Sequence, residues 1–341
     1  MTEVRPFREA DRAAWDDYVR RASGSHFGQL VAWRDVTERG YGCRAHYWLA
    51  ESAGRVTGVL PLLEKNGPIG GRCLFSPPGG LLADNEETAA ALLAPARARL
   101  RERRLEWLEL RDQRRRWDGL VTIAEHVTME LDLPERPEAL WQAFDAKLRN
   151  QIRKGEKAGF HTRWGAGLAH DFYRVLLENM RDLGTPILGE DYYARALAQL
   201  GADAEVLVID LNGEPAGAMF VVNHAGGVAD PWASSLRRFF AHCPNQVLYW
   251  EAIRRAIARG ARRFDFGRSQ PDSGTYRFKE QWLAHPVPLY YQYVLGTAQR
   301  APTLEDQKHQ FDLAVRLWKR LPLPAASLLG RGAKRMFPEA L

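Results

Sequence analysis

The stretch Phe264–Trp282, FDFGRSQPDSGTYRFKEQW, decides how this chain is read. Phe264, Asp265 and Phe266 make a short apolar strand that runs into a loop of Gly, Ser, Pro and Asp. The loop delivers Tyr276, Arg277, Phe278 and Lys279 onto a helical turn. Strand ends followed by polar loops are where α/β proteins gather their chemistry. Phe278 predicts an anchor in the core, which would hold Lys279 at a cleft edge, able to steady an oxyanion or bind phosphate. Asp265 sits in an Asp-Phe-Gly triplet, but no glycine-rich loop or His-Arg-Asp loop accompanies it, so the kinase reading is excluded. Pairing with Arg268 or Arg277 is its expected role.

Working upstream, Asn245–Arg259 reads as a helix closed by Gly260. Asn245 is a natural N-cap, and free amides at a helix start favour an anion, which makes Asn245, Gln246 and Tyr249 candidate substrate contacts. No Gln/Arg-x-x-Gly-x-Gly/Ala loop for acetyl-coenzyme A reinforces that site. Asp230-Pro231-Trp232 ends a strand and offers a carboxylate as acceptor for an amine proton, with a plain turn residue as the alternative. Further upstream, Pro137–Ala158 reads as one helix with Leu140, Trp141, Phe144, Leu148 and Ile152 as its buried stripe. Arg149, Arg153 and Lys157 share another face, where like charges cost roughly a few tenths of a kcal/mol per pair. Either solvent or a bound phosphate or carboxylate relieves them.

The rest of the chain alternates helices (Asp11–Arg21, Gln29–Arg39, Glu86–Arg104, Asp171–Leu183) with strands. The strands are Ala45–Glu51, Val56–Glu64, Arg72–Phe75, Leu105–Leu110, Val127–Leu133, Glu205–Asp210, Ala216–Asn223, Gly227–Ala233 and Pro288–Leu295. Asn212-Gly213 is a hairpin turn and Ser76–Gly80 a loop. Leu133–Pro137, with two prolines, marks a domain boundary. The expected division is 1–134, 135–300 and a basic helical tail, 301–341. At 341 residues, 45% hydrophobic and 11% aromatic, the chain is long and apolar enough for two folded domains and is not disordered. A net charge of +6 allows an anionic partner without demanding one. Cys43, Cys73 and Cys243 lack metal or disulfide spacing, the histidines lack metal spacing, and no Gly-x-Ser-x-Gly elbow occurs. No metal or covalent nucleophile is indicated. Neither a signal-peptide core nor a membrane span is read, so the expected location is cytoplasmic, with membrane contact through the tail as a candidate. In that tail Leu317, Trp318 and Leu321 accompany Arg316, Lys319 and Arg320, followed by the run Arg331–Arg335.

Three segments, LRNQIRKGEKAGF (148–160), CPNQVLYWEAIRRAIARG (243–260) and FDFGRSQPDSGTYRFKEQW, together resemble the FemAB family. The resemblance is closer to the FemAB-related proteins of exosortase (PEP-CTERM) systems, with a BioF2-like acetyltransferase domain. GQLVAWRDVTERGYG (28–42) and GVLPLL (58–63) extend it to about Trp15–Leu295. It implies an α/β (α+β) fold of two tandem GNAT-like domains, mixed sheets flanked by helices. It also implies acyl or aminoacyl transfer to an amine of a cell-envelope precursor, of peptidoglycan or exopolysaccharide. Carried over, the lysine of the Phe-Lys motif is Lys279, placed in the active site. The expected donor is a co-substrate, aminoacyl-tRNA or acyl-coenzyme A, with no tightly bound cofactor. The expected acceptor is an anionic small molecule or a lipid-linked glycan or peptide precursor, held by Arg149, Arg153, Arg268, Tyr276 and Arg277, and DNA is not an expected partner. The chain lacks the long coiled-coil insertion that some relatives use near tRNA. A non-catalytic scaffold that binds RNA or a polysaccharide-synthesis complex is the alternative.

Overall fold

A computed structural model describes residues 2–66, 71–302 and 314–336. The chain forms two units. The first comprises Met1–Glu125, Pro288–Phe311 and Gly332–Leu341. Its strands are β1 (Glu3–Pro6), β2 (Arg44–Ser52), β3 (Arg55–Asn66), β4 (Arg72–Pro78), β5 (Leu82–Ala83) and β6 (Trp107–Gln113), joined by the late strand β13 (His285–Leu295). They lie in the order β1-β2-β3-β4-β6-β13, with β5 on β3. Leu60 and Leu62 of β3, Leu74 of β4 and Leu108 of β6 bury one face under Ala89, Leu92, Leu93 and Ala96 of helix α3 (Glu86–Arg103). The other face carries Tyr47, which stacks on Trp15 of helix α1 (Arg12–Arg21) at 5.2 Å. Helix α2 (Val31–Tyr41) follows, closed by Gly42 at φ +67°, the left-handed conformation glycine adopts freely.

The second unit comprises His126–Val287 and Asp312–Arg331. Its strands are β7 (Val121–Asp132), β8 (His161–Trp164), β9 (Ala204–Leu211), β10 (Glu214–His224), β11 (Gly227–Ser235) and β12 (Arg263–Ser269), in the order β7-β12-β11-β10-β9-β8. All eight residues of β9, AEVLVIDL, are buried, as an internal strand covered on both faces requires. On one face lie α4 (Pro137–Ala143), α5 (Ala146–Lys157) and α8 (Pro244–Ala258), whose Leu148, Ile152, Trp250 and Ile253 meet Leu207, Met219, Phe264 and Trp282. On the other, Phe172 of α6 (Ala169–Leu183) and Tyr193 of α7 (Glu190–Leu200) meet Phe220 and Trp232 edge-on. The short helix α9 (Gly274–Glu280) follows β12, and α10 (Leu323–Met336) closes the chain.

Several elements differ from the sequence reading. Pro137–Ala158 is two helices, because the Asp145 carboxylate accepts from the Leu148 amide at 2.6 Å and starts a new helix there. β4 continues through Pro78, into the span read as a loop. The helix α7 was not read at all. The contact division falls at Glu125 and His126 rather than at 134, because Val127–Asp132 pair with β12. Likewise residues 290–295 pair with β6 in the first unit, although they follow the whole of the second in sequence. The tail is divided between the units rather than standing apart. Of the tail, residues 303–313 and 337–341 lie outside the described residues, whereas 314–318 are helical.

The α5–α8 packing depends on Gly155. A Cβ there would sit 2.4 Å from Val247 Cγ2 and 3.2 Å from the Cys243 carbonyl oxygen. Gly155→Ala is expected to lower unfolding free energy by about 1–3 kcal/mol through overpacking. Gly167→Ala, which meets nothing within 4 Å, should stay within about 0.5 kcal/mol in the same denaturant titration.

Candidate active site

β11 and β12 run parallel, pairing Gly227 with Arg263, Val228 with Phe264 and Ala229 with Asp265, and there the ladder ends. Asp230 is the next residue on β11. It coincides with a bulge against β10, where the register shifts between Phe220 and Val222. Its side chain is buried. Tyr249, in the second turn of α8, is buried too and donates its hydroxyl to the Asp230 carboxylate. The Tyr249 ring stacks on Phe266 at 5.2 Å, which fixes the hydroxyl in place. Asp230 Oδ1 has no hydrogen-bond partner among the described residues. Nor have Ser235 Oγ and Ser269 Oγ, buried in the last residues of β11 and β12. A buried oxygen without a partner carries an unmet demand of about 1–3 kcal/mol, which a bound polar group relieves.

Lys279 enters from α9. The helix starts at Ser273, whose hydroxyl accepts from the Tyr276 amide at 3.2 Å. Phe278 and Tyr276 pack on the core, as the sequence suggested for Phe278. Lys279 is buried, and its Nζ donates to the carbonyl oxygens of Gly267 (2.9 Å) and Arg268 (3.0 Å). The sequence places Lys279 at a cleft edge and does not single out these backbone acceptors. Two of its three N–H donors are engaged by the backbone. Those carbonyls are presented by a turn at Gly267, φ +73°, where the Asp265 carboxylate accepts from the Gly267 amide at 2.8 Å and from the Thr128 hydroxyl. The sequence reading did not single out Thr128 as a partner of Asp265.

Burial sets the electrostatics. It is the largest influence on Asp230 and pushes its carboxyl up to about 7, while Lys279 and the Tyr249 hydrogen bond pull the other way and Asp265 adds to the rise. Burial also lowers the Lys279 pKa, opposed by Asp230 and Asp265, with Arg268 adding to the drop. Burial and the neighbouring Asp230 raise the Tyr249 phenol, so it stays a donor.

The other predicted contacts are placed less centrally. Asn245 is the second residue of α8 and not its cap, because Cys243, at φ +57°, precedes Pro244 at the first helical position. Gln246 Nε2 donates to Gln151 Oε1 at 3.4 Å. Arg149 donates to the Gln142 carbonyl oxygen at 3.2 Å. Arg153 is exposed, lies over the Trp141 ring at 5.3 Å and donates to Asn150 at 3.4 Å. Arg277 is exposed, whereas Arg268 and Tyr276 are half-buried. The structure thus brings together Asp230, Tyr249, Lys279 and the Arg268 carbonyl, and leaves Arg149 and Arg153 on other contacts and Arg277 exposed. An open cavity of about 290 Å³ lies between α6, β10 and the start of α10, and its lining contains none of the site residues. Among the described residues no group of His, Cys, Asp and Glu is arranged to hold a metal.

The sequence profile of a family described as an acetyltransferase (GNAT) domain matches residues 142–280, a span inside the second unit that includes Asp230, Tyr249 and Lys279. The crystal structure of FemX superposes with a TM-score of 0.70 at 15% identity, covering 92% of this chain and 100% of that one. A tandem GNAT protein from the clavulanic acid biosynthesis pathway gives 0.55 at 15% identity, covering 89% and 100%. The C-terminal domain of a protein assigned as a lysylphosphatidylglycerol synthetase of Agrobacterium fabrum gives 0.59 at 12% identity, covering 90% and 96%. No curated protein sequence matches the chain. The fold is the tandem GNAT fold, and the resemblance to the FemAB family read from the sequence is borne out.

Two readouts test the site without a substrate. Tyr249→Phe removes a hydrogen bond that favours the ionised Asp230, so the carboxyl should titrate above 7 in a carbon-detected NMR titration of the full chain. The second concerns stability. Asp230 binds its proton more tightly folded (about 7) than at its ordinary value of 3.8, so it stabilises fully below pH 3.8. That contribution is lost as pH rises to about 7. Asp230→Asn is expected to flatten this part of the melting-temperature profile and to raise stability at pH 8 relative to the unaltered chain.

Proposed function

We propose that this chain is an acyl- or aminoacyltransferase that forms an amide on an amino group of a cell-envelope or exopolysaccharide precursor. One observation carries the reading: Asp230 is buried, oriented by Tyr249, open at Oδ1 and titrates near neutrality. A carboxylate in that state is suited to general-base work. The GNAT match over residues 142–280 and the fold shared with FemX support the class of reaction.

In this mechanism the acceptor amine attacks the carbonyl carbon of an activated ester or thioester. A C–N bond forms, and the carbonyl electron pair moves to oxygen. Asp230 Oδ1 takes the proton from nitrogen. The tetrahedral intermediate then collapses, the C–O or C–S bond breaks, and the proton on Asp230 passes to the leaving oxygen or sulfur. Lys279 acts by its charge, which stabilises the oxyanion through space and the ionised form of Asp230. Its bonds to Gly267 and Arg268 hold it there. The donor is a co-substrate, aminoacyl-tRNA or acyl-coenzyme A. The uncapped start of α8, with the Asn245 and Gln246 amides, offers donors for its phosphates. The acceptor is anionic, a lipid-linked or small precursor, and Arg268, whose charge reaches Lys279, is a cation available to hold it.

The scaffold reading draws on one observation: the Lys279 ammonium is bound to two backbone carbonyls, and the cavity between α6, β10 and α10 is lined by none of the site residues. Transfer assays of the full chain separate the two. With labelled aminoacyl-tRNA and acyl-coenzyme A donors and amino-sugar or peptide acceptors, Asp230→Asn should cut kcat about 10²–10⁴-fold with its circular dichroism unchanged. kcat/KM should rise with pH through about 7 in the unaltered chain, following the Asp230 carboxyl. Full turnover in Asp230→Asn overturns the mechanism, and salt-sensitive RNA binding without turnover of any donor favours the scaffold.

A further inference from the structure

Between Leu313 and Pro338 the sequence holds six cations, Arg316, Lys319, Arg320, Arg331, Lys334 and Arg335, and no Asp or Glu. The net charge of the whole chain is +6, so the remainder is electrically balanced. Three of the six are engaged. Arg331 pairs with Asp191, Arg335 donates to the carbonyl oxygens of Arg39 (3.0 Å) and Gly40 (3.1 Å), and Lys334 is buried. Arg316, Lys319 and Arg320 are exposed and have no ion pair among the described residues.

The same segment exposes large apolar side chains. α10 turns inward the side of Ala326, Ser327 and Gly330. Ser327 meets the Tyr173 hydroxyl at 2.8 Å, and a Cβ on Gly330 would lie 2.5 Å from the Ile187 carbonyl oxygen. One hundred degrees per residue then points Leu328 and Leu329 away from the unit, and they are 81% and 51% exposed. Leu317, in the helical turn before, is 58% exposed. Exposed leucines in one segment with exposed cations that have no ion pair among the described residues are a specific combination. An RNA would satisfy the cations and gain nothing from the leucines. A second copy bound through the same patch would bury the leucines but set like charges against like. A bilayer with acidic headgroups satisfies both, with cations at the headgroups and leucines in the acyl boundary. Among the described residues no helix is long and apolar enough to cross a membrane.

We propose that residues 314–336 dock this protein onto an anionic lipid surface, through Arg316, Lys319 and Arg320 together with Leu317, Leu328 and Leu329. The docking is independent of the transfer reaction, which would gain from it if the acceptor is lipid-linked. The experiment is co-sedimentation of the full chain with vesicles of phosphatidylcholine containing roughly one third phosphatidylglycerol, against phosphatidylcholine alone. Binding is expected only to the acidic vesicles, weakened by salt at about 0.5 M. At about fivefold per cation, Arg316→Gln/Lys319→Gln/Arg320→Gln should bind about 100-fold more weakly. Leu328→Ser/Leu329→Ser should lose at least about tenfold. Both variants should melt like the unaltered chain, since the side chains are exposed. The proposal is overturned by absence of binding to acidic vesicles, or by vesicle binding that the leucine variant retains in full. Light scattering that shows a dimer abolished by Leu328→Ser/Leu329→Ser overturns it in favour of self-association. RNA binding in place of vesicle binding overturns it in favour of a nucleic-acid contact.

Discussion

The structure of the site rests on taking Asp230 and Lys279 out of water side by side. Neither charge is tolerated alone in such a place. An isolated buried carboxylate or ammonium changes protonation state before it accepts full desolvation. The molecule supplies partial relief from several directions: the Tyr249 hydroxyl on the carboxylate, two backbone carbonyls on the ammonium, and the charge of Asp265, which favours the ammonium while it opposes the carboxylate. The relief is incomplete, and incompleteness is what leaves Asp230 near neutrality rather than deep in the acid range. Satisfying Oδ1 as well would have produced a stable ion pair with no chemistry left in it.

How the backbone reaches that arrangement explains what could be read from the sequence. The Asn212-Gly213 hairpin was legible, since both residues take the left-handed conformation that favours Asn and Gly, φ +53° and +80°. The strand–loop–helix order of Phe264–Trp282 was legible because Phe264, Phe266 and Phe278 alternate with polar residues and Ser273 caps the turn. Asp230 and Lys279 were both singled out, although they lie 49 positions apart. That they meet on one site depends on β11 and β12 being neighbours, a pairing no local pattern encodes.

The misses share a cause. Asp145 lies within an otherwise continuous apolar stripe, and periodicity does not register that its carboxylate competes for a backbone amide. Asn245 has the right side chain for a cap, yet Pro244 beside it fixes the first helical position one residue earlier. The acceptors of Lys279 escaped because they are carbonyl oxygens, which every residue carries and no sequence displays. Asp265 and Thr128 escaped for the same reason as the strand exchange of β7: their meeting is a matter of sheet register, Asp265 opposite Glu130 and Arg268 opposite Thr128.

The first unit contains the same parallel-strand motif, with a different outcome. There β4 and β6 pair from Cys73–Trp107 to Phe75–Glu109, and the ladder breaks as it does between β11 and β12. But the break is closed again. The Ser76 hydroxyl accepts from the Arg111 amide at 2.8 Å, Gly79 donates to the Arg111 carbonyl at 3.1 Å, and Pro78 resumes pairing opposite Arg111. Arg111 itself is neutralised by Glu109 at 2.8 Å and lies over Phe75. The helix that follows, α3, is capped by Asn85 and begins with Glu86 and Glu87, so its positive end is already occupied and repels an anion. In the second unit the corresponding helix start has no side-chain cap and no acid in its first turn, and the strand end beside it keeps its oxygens unpaired. Duplicated architecture therefore ends in two different strand breaks: the first is closed by Ser76, Gly79 and Pro78, and the second leaves Asp230 Oδ1, Ser235 Oγ and Ser269 Oγ without a hydrogen-bond partner among the described residues.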